Sequence, residues 1–159
     1  METTIALPRE VVFEYLLDIA NHAEFTDHYL VDWRLLREDP RGVGAGARFR
    51  VKAPLNRFAW ADATIAEIET PYRIVEHGRG GKFNRVRMLG TYTLSPGPSG
   101  TTRVQYGLET EPVLPSDRLL EGLGGAAWAR HQAGKSMRRL RTILEEDRDR
   151  GRRPSVAGR

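Results

Sequence analysis

Apolar positions recur along the chain first with a helical period and then with a period of two. Thr3 to Leu7 reads as a short strand stopped by Pro8, and Pro8 suits the first turn of a helix. Val11, Val12, Tyr15, Leu16 and Ile19 follow at three- and four-residue steps, the pattern of an amphipathic helix. A second short helix is predicted from Asn21, its N-cap, to Asp27. The period then falls to two. Val31, Trp33 and Leu35 alternate with polar residues, and Ala47, Phe49, Val51 and Ala53 alternate with Arg48, Arg50 and Lys52. Further strands are predicted over Phe58 to Glu69, Arg73 to His77, Val86 to Leu94 and Val104 to Thr110. Between them lie the breaks Asp39-Pro40-Arg41-Gly42, Pro54-Leu55-Asn56, Thr70-Pro71, Gly78 to Gly81 and Ser95 to Gly100.

Pro112 and Pro115 close this region, and Ser116 and Asp117 offer N-caps for a helix of ~30 residues, ~45 Å long. Its apolar stripe runs through Leu119, Leu123, Ala126, Ala127, Ala133, Met137, Leu140 and Leu144. Consecutive strands with short connections imply an antiparallel sheet. Each strand has one apolar face, and the last helix is the one element long enough to cover it. The expectation is an α+β fold, a sheet wrapped around one helix. At 159 residues the chain suits one domain, expected over 1–147, with a charged, frayed tail over 148–159.

Composition narrows the chemistry. Hydrophobic residues make up 40%, enough for a core, and the absence of cysteine excludes thiolate metal sites, disulfides and cysteine nucleophiles. No apolar run approaches the ~20 residues of a membrane span, and no signal peptide is visible, so a soluble cytosolic protein without stable membrane insertion is expected. Only three of the 25 cations are lysine (Lys52, Lys82, Lys135). The one dense basic cluster is the C-terminal tail, where Arg148, Arg150, Arg152 and Arg153 are interleaved with Glu145, Glu146, Asp147 and Asp149. That self-neutralising pattern argues against a nucleic-acid partner.

Several motifs fail on context. Gly42 to Gly46 leads into a strand, whereas a dinucleotide loop must open a helix. Ala129 to Ser136 matches a phosphate-binding loop except at Ala129, but lies inside a helical periodicity with its amides already bonded. His22, His28, His77 and His131 show no metal-ligand spacing and read as surface or rim residues. No nucleophile-elbow sequence occurs. Neither a cofactor nor a metal is expected.

Three segments resemble a known family. TIALPREVVFEYLLDIANHAEF is similar to the opening strand, proline and helices of the SRPBCC, or START-like, superfamily. WADATIAEIETPYRIVEHG is similar to its mid-sheet segment, and GTYTLSPGPSGTTRVQY to its late hairpin. The chain most closely resembles the bacterial polyketide cyclase/dehydrase-like members. Phe25 stands where the family often has tryptophan. The resemblance implies a helix-grip fold: a curved antiparallel sheet of about seven strands around a long C-terminal helix, with two short helices after the first strand. It also implies a deep cavity between sheet and helix, used for hydrophobic ligands.

Alternation nominates the cavity wall: Phe49, Val51, Met88, Tyr92, Tyr106 and Leu108 from the sheet, and Leu119, Leu123 and Ala127 from the helix. Asn84 shares a face with Val86 and Met88, and Glu76 with Ile74. The strand from Phe58 to Glu69 admits two readings. Trp60, Asp62 and Thr64 face inward with the parity of Ile68, or a bulge flips the strand and leaves Ala61, Ala63 and Ile65 inside. A carboxylate in an apolar cavity is a candidate acid or base, so Asp62, Glu76, Tyr92 and Tyr106 are the catalytic candidates. Gly124-Gly125 within the helix pattern either bends a gate or permits close packing. The expected function is binding of a hydrophobic or aromatic, lipid- or polyketide-like molecule, by a monomer or homodimer. The alternative is a polyketide cyclase, aromatase or dehydratase holding its substrate in the same cavity.

Overall fold

The computed structural model describes residues 1–53, 60–81, 83, 86–111 and 125–156. The elements are β1 (Glu2–Ile5), α1 (Arg9–Leu16), α2 (Ile19–Thr26), β2 (Leu30–Leu35), β3 (Gly46–Val51), β4 (Trp60–Glu69), β5 (Arg73–Gly80), β6 (Val86–Pro96), β7 (Thr102–Glu111) and α3 (Ala126–Glu146). Seven strands form one antiparallel sheet in the order β1-β7-β6-β5-β4-β3-β2. This is the helix-grip α+β arrangement, with α3 against the sheet's inner face. The expected start of that helix, together with Leu119, Leu123, Asn84 and Gly124, lies outside the described residues.

The core sits where α1, α2 and α3 meet the inner face. Phe13, Leu16, Ile19, Phe25, Ile65, Ile74, Leu94, Met137, Leu140 and Ile143 are fully buried there, each stabilising the fold by ~1.5–3 kcal/mol relative to exposure. On α3 the buried positions are Ala133, Ser136, Met137, Leu140 and Ile143. Ala127, expected on this stripe, is exposed. At ~100° per residue it stands about 120° around the helix from Ala133, off the buried face.

The β4 ambiguity is resolved by a bulge. Its register against β5 shifts between Ile65 and Glu67. Before the bulge, Ala61 and Ile65 are buried, and after it Ile68 packs against the core. Trp60 and Asp62 therefore occupy the outer face. The indole of Trp60 is 42% exposed and lies near the Arg34 guanidinium. Asp62 accepts two hydrogen bonds from Arg48, at 2.6 and 2.9 Å. Of the two readings of this strand the bulged one is observed, so Trp60, a candidate for the cavity wall, and Asp62, a catalytic candidate, both stand outside the inner face.

Three further differences matter. α2 is capped by Asp18, whose side chain accepts from the Ala20 amide at 3.0 Å, rather than by Asn21. β5 runs on to Gly80, because Gly78 and Gly80 bring the backbone beneath Met88 and Ala61. The charged tail, expected to fray, lies against α2 and β2. The Gly151 amide donates to the Glu24 carbonyl and the Leu35 amide to the Ser155 carbonyl. Arg150 bonds Glu24 at 2.7 Å, and Arg153 bonds Asp18 at 2.6 Å and Asn21 at 2.5 Å. The tail's arginines thus neutralise acids on α2 as well as their neighbours.

Candidate functional site

All eight residues of α2 are buried, although four of them are Asn21, His22, Glu24 and Thr26. Burial of polar groups demands partners, and each finds one. Asn21 donates to the Tyr15 carbonyl at 2.9 Å, and Thr26 donates to the His22 carbonyl at 2.6 Å. Glu24 accepts from the Tyr15 hydroxyl at 2.7 Å, which with burial raises the pKa of that phenol.

His22 is the exception in direction: it points into the protein. Its Nε2 lies 2.8 Å from the Leu16 carbonyl, which can only accept, so Nε2 carries a proton. Its Nδ1 lies 3.0 Å from Oε1 of Glu76 on β5. A bare ring nitrogen facing a carboxylate oxygen at that distance requires a proton between them. The pair is therefore a buried imidazolium–carboxylate or its neutral tautomer. Burial alone would lower the His22 pKa, but the Glu76 charge, the Leu16 carbonyl and Asp18 outweigh it and raise it. Oε1 has no other hydrogen-bond partner among the described residues.

Glu76 is 8% exposed and faces Gly90 directly across the β5–β6 ladder. A Cβ at position 90 would stand 3.2 Å from Glu76 Oε2 and 3.2 Å from Tyr106 Oη, so glycine there lets a carboxylate and a phenol share the inner face. Tyr92 and Tyr106 oppose one another across β6–β7 with ring centroids 4.6 Å apart. The Tyr92 ring also meets His22 edge-on at 5.5 Å. Burial first, and the Glu76 charge second, push both phenols well above their usual range. Tyr29 is pushed up to about 12, chiefly by burial. Neither the Tyr92 nor the Tyr106 hydroxyl has a hydrogen-bond partner among the described residues.

The structure thus brings Glu76, Tyr92 and Tyr106 into one cluster, with Met88 and Leu108 on adjoining inner positions. Leu108 is 39% exposed despite facing inward. Phe49 and Val51 stand farther along the sheet, where Phe49 packs on Trp33 at 4.6 Å. Asp62 and Trp60 stand apart on the outer face. A groove of about 720 Å³ there is lined by Asp62, Thr64, His77, Arg79, Arg87 and Glu109, among others. His77 and His131 are exposed, as expected. His22 is the residue that sequence reasoning missed. The available signal was its place between Ala20 and Phe25 on a short helix with no exposed face, visible only once α2 is known to be buried all round.

Among the described residues no helix is long and apolar enough to cross a membrane. No curated protein matches the sequence. Solved structures match it closely in shape. The KanY protein aligns with a TM-score of 0.68 at 13% identity, over 91% of this chain and 94% of its own. TTHA0849 from Thermus thermophilus aligns at 0.66 with 17% identity, over 91% and 94%. Major latex-like protein 151 from Panax ginseng aligns at 0.63 with 13% identity, over 91% and 94%. At these identities the likeness is one of fold. The family model described as polyketide cyclase / dehydrase and lipid transport matches residues 1–145, and the chain belongs to that family.

Proposed function

We propose that the protein binds a hydrophobic or aromatic small molecule, of lipid or polyketide type, between the inner face of the sheet and the C-terminal helix, in the cytoplasm. The observation that carries this reading is the inner face around Gly90. Apolar side chains that face inward there, Leu108 above all, stay accessible, and they surround a buried carboxylate and two phenols whose hydroxyls have no hydrogen-bond partner among the described residues. A face that existed only to complete the core would be expected to bury such groups against apolar neighbours or to pair them. Native mass spectrometry of the purified chain, with titration by an apolar fluorescent probe, tests the reading. Saturable binding at one site, weakened by Leu108→Glu, is expected; no saturable binding overturns it.

One observation favours a second reading, a cyclase, aromatase or dehydratase. Glu76 and Tyr106 approach the same point above Gly90. A carboxylate there would take a proton from carbon next to a ligand carbonyl, while a tyrosine hydroxyl donates to the oxygen that becomes negative. The surrounding wall would hold the chain folded for ring closure. Ring closure of a poly-β-ketone model compound should then be lost in Glu76→Gln and Tyr106→Phe with binding retained. Unchanged turnover removes these roles.

A further inference from the structure

The polar end of the inner face is ordered by charge. Both ring nitrogens of His22 are committed, to the Leu16 carbonyl and to Glu76 Oε1, so the ring has no N–H left for a ligand and any positive charge it holds lies behind the carboxyl group. In front stands Glu76 Oε2, over Gly90 and beside the Tyr106 hydroxyl. Among the described residues, Glu76 first and then Tyr29 act electrostatically on both phenols; no arginine or lysine contributes. A ligand arriving here meets a carboxylate oxygen that accepts and phenols that can donate or accept.

Three ligand types fare differently at such a point. A ligand carboxylate would face Glu76 with no cation among the described residues acting on the two phenols to offset the repulsion. A hydrocarbon or an ether would cover a buried acceptor without bonding it, which costs the desolvation of that acceptor. A hydroxyl would donate to Glu76 and accept from Tyr106. The flanking surface suits a flat ring: the paired tyrosine rings on one side, the Met88 thioether and Leu108 on the other, and Gly90 without a side chain between them. Resting on the ligand-binding reading above, we infer that the Glu76–Tyr106 end of the inner face selects a neutral hydroxylated aromatic compound, whose hydroxyl donates to Glu76, over the matching ether and the matching carboxylate.

Calorimetric titration of the full chain at pH 7 with 2-naphthol, 2-methoxynaphthalene and 2-naphthoate tests this. 2-Naphthol is expected to bind about tenfold or more tighter than the ether, the return from one hydrogen bond to a charged group, and naphthoate weakest of the three. Glu76→Gln should cut the preference for the naphthol over the ether to about threefold or less, with the ether's affinity little changed. Tyr106→Phe, which keeps the ring, should lower naphthol affinity alone. If Glu76→Gln does not fold, the three-ligand series on the wild-type chain and the Tyr106→Phe variant still decide. Equal binding of naphthol and ether, tightest binding of naphthoate, or a preference that survives Glu76→Gln overturns the inference while leaving the cavity intact. No binding of any of the three overturns the cavity reading and this inference with it.

Discussion

Glu76→Gln gives the sharpest test of the buried pair, because its cost should depend on pH in a calculable way. The substitution keeps the volume of the side chain and removes the charge opposite His22, whose side chain is 4% exposed. Breaking one partner of a buried ion pair typically costs ~3–5 kcal/mol, against a total stability of ~5–15 kcal/mol. His22 can escape part of that cost by releasing its proton. In the unfolded chain histidine titrates near ~6.5, so at pH 8 a neutral His22 costs nothing further. At pH 5 the folded variant must hold neutral a ring that the unfolded chain would protonate, at ~1.4 kcal/mol per pH unit, or about 2 kcal/mol. The wild type runs the other way. Its folded His22 pKa is raised, so the contribution of His22 is fully present below the unfolded value and is lost as pH rises through the folded one. The gap between wild type and variant should therefore widen by at least ~2 kcal/mol from pH 8 to pH 5, or ~4–8 °C in Tm for a chain of this size. Urea unfolding of both proteins at the two pH values measures it, and groups common to both cancel in the difference. A gap that is constant, or that narrows at low pH, refutes a charged His22.

Three other substitutions separate the inner face from the rest. Gly90→Ala should lower probe affinity several-fold while costing ~1–3 kcal/mol in stability, because the added Cβ would lie 3.2 Å from both Glu76 Oε2 and Tyr106 Oη; fluorescence titration and thermal unfolding read the two effects. Asp62→Asn breaks an exposed pair with Arg48 and should cost no more than ~1 kcal/mol, with ligand affinity unchanged in the same titration. Arg153→Ala leaves the buried Asp18 carboxylate without its guanidinium and should cost ~1–3 kcal/mol in urea unfolding, less at high salt because Arg153 is half exposed.

The fold was legible because its signals are local and repeat. Proline at the start of α1, strict alternation on β3, β6 and β7, and turn residues between strands each act over a few positions, and together they leave one way to cover the sheet. The site was legible only in part, and the missing part has a physical cause. Tyr92, Tyr106 and Glu76 follow from parity on regular strands. For Asp62 and Trp60 the alternation leaves both sides open, because one extra residue, here between Ile65 and Glu67, inverts every position before it, and nothing in the local pattern locates that residue. Ala127 failed for a similar reason: a stripe read from its far end drifts off the buried face within two turns.

His22 and the tail show a different limit. A helix of eight residues with polar groups on every side carries no amphipathic signal, yet α2 is buried all round because its partners come from elsewhere in the chain. Asp18 is met by Arg153, Glu24 by Arg150 and Tyr15, and His22 by Glu76. Each partnership spans a long sequence separation except that of Tyr15, and each is a charge meeting a charge or a strong donor. Burial in this helix thus follows from compensation rather than from hydrophobicity. The arginine-rich tail, which reads in sequence as a solvated end, supplies half of that compensation. Holding α2 in place is what sets His22 behind Glu76, so the electrostatics of the inner face depend on residues more than 70 positions away from Glu76 itself.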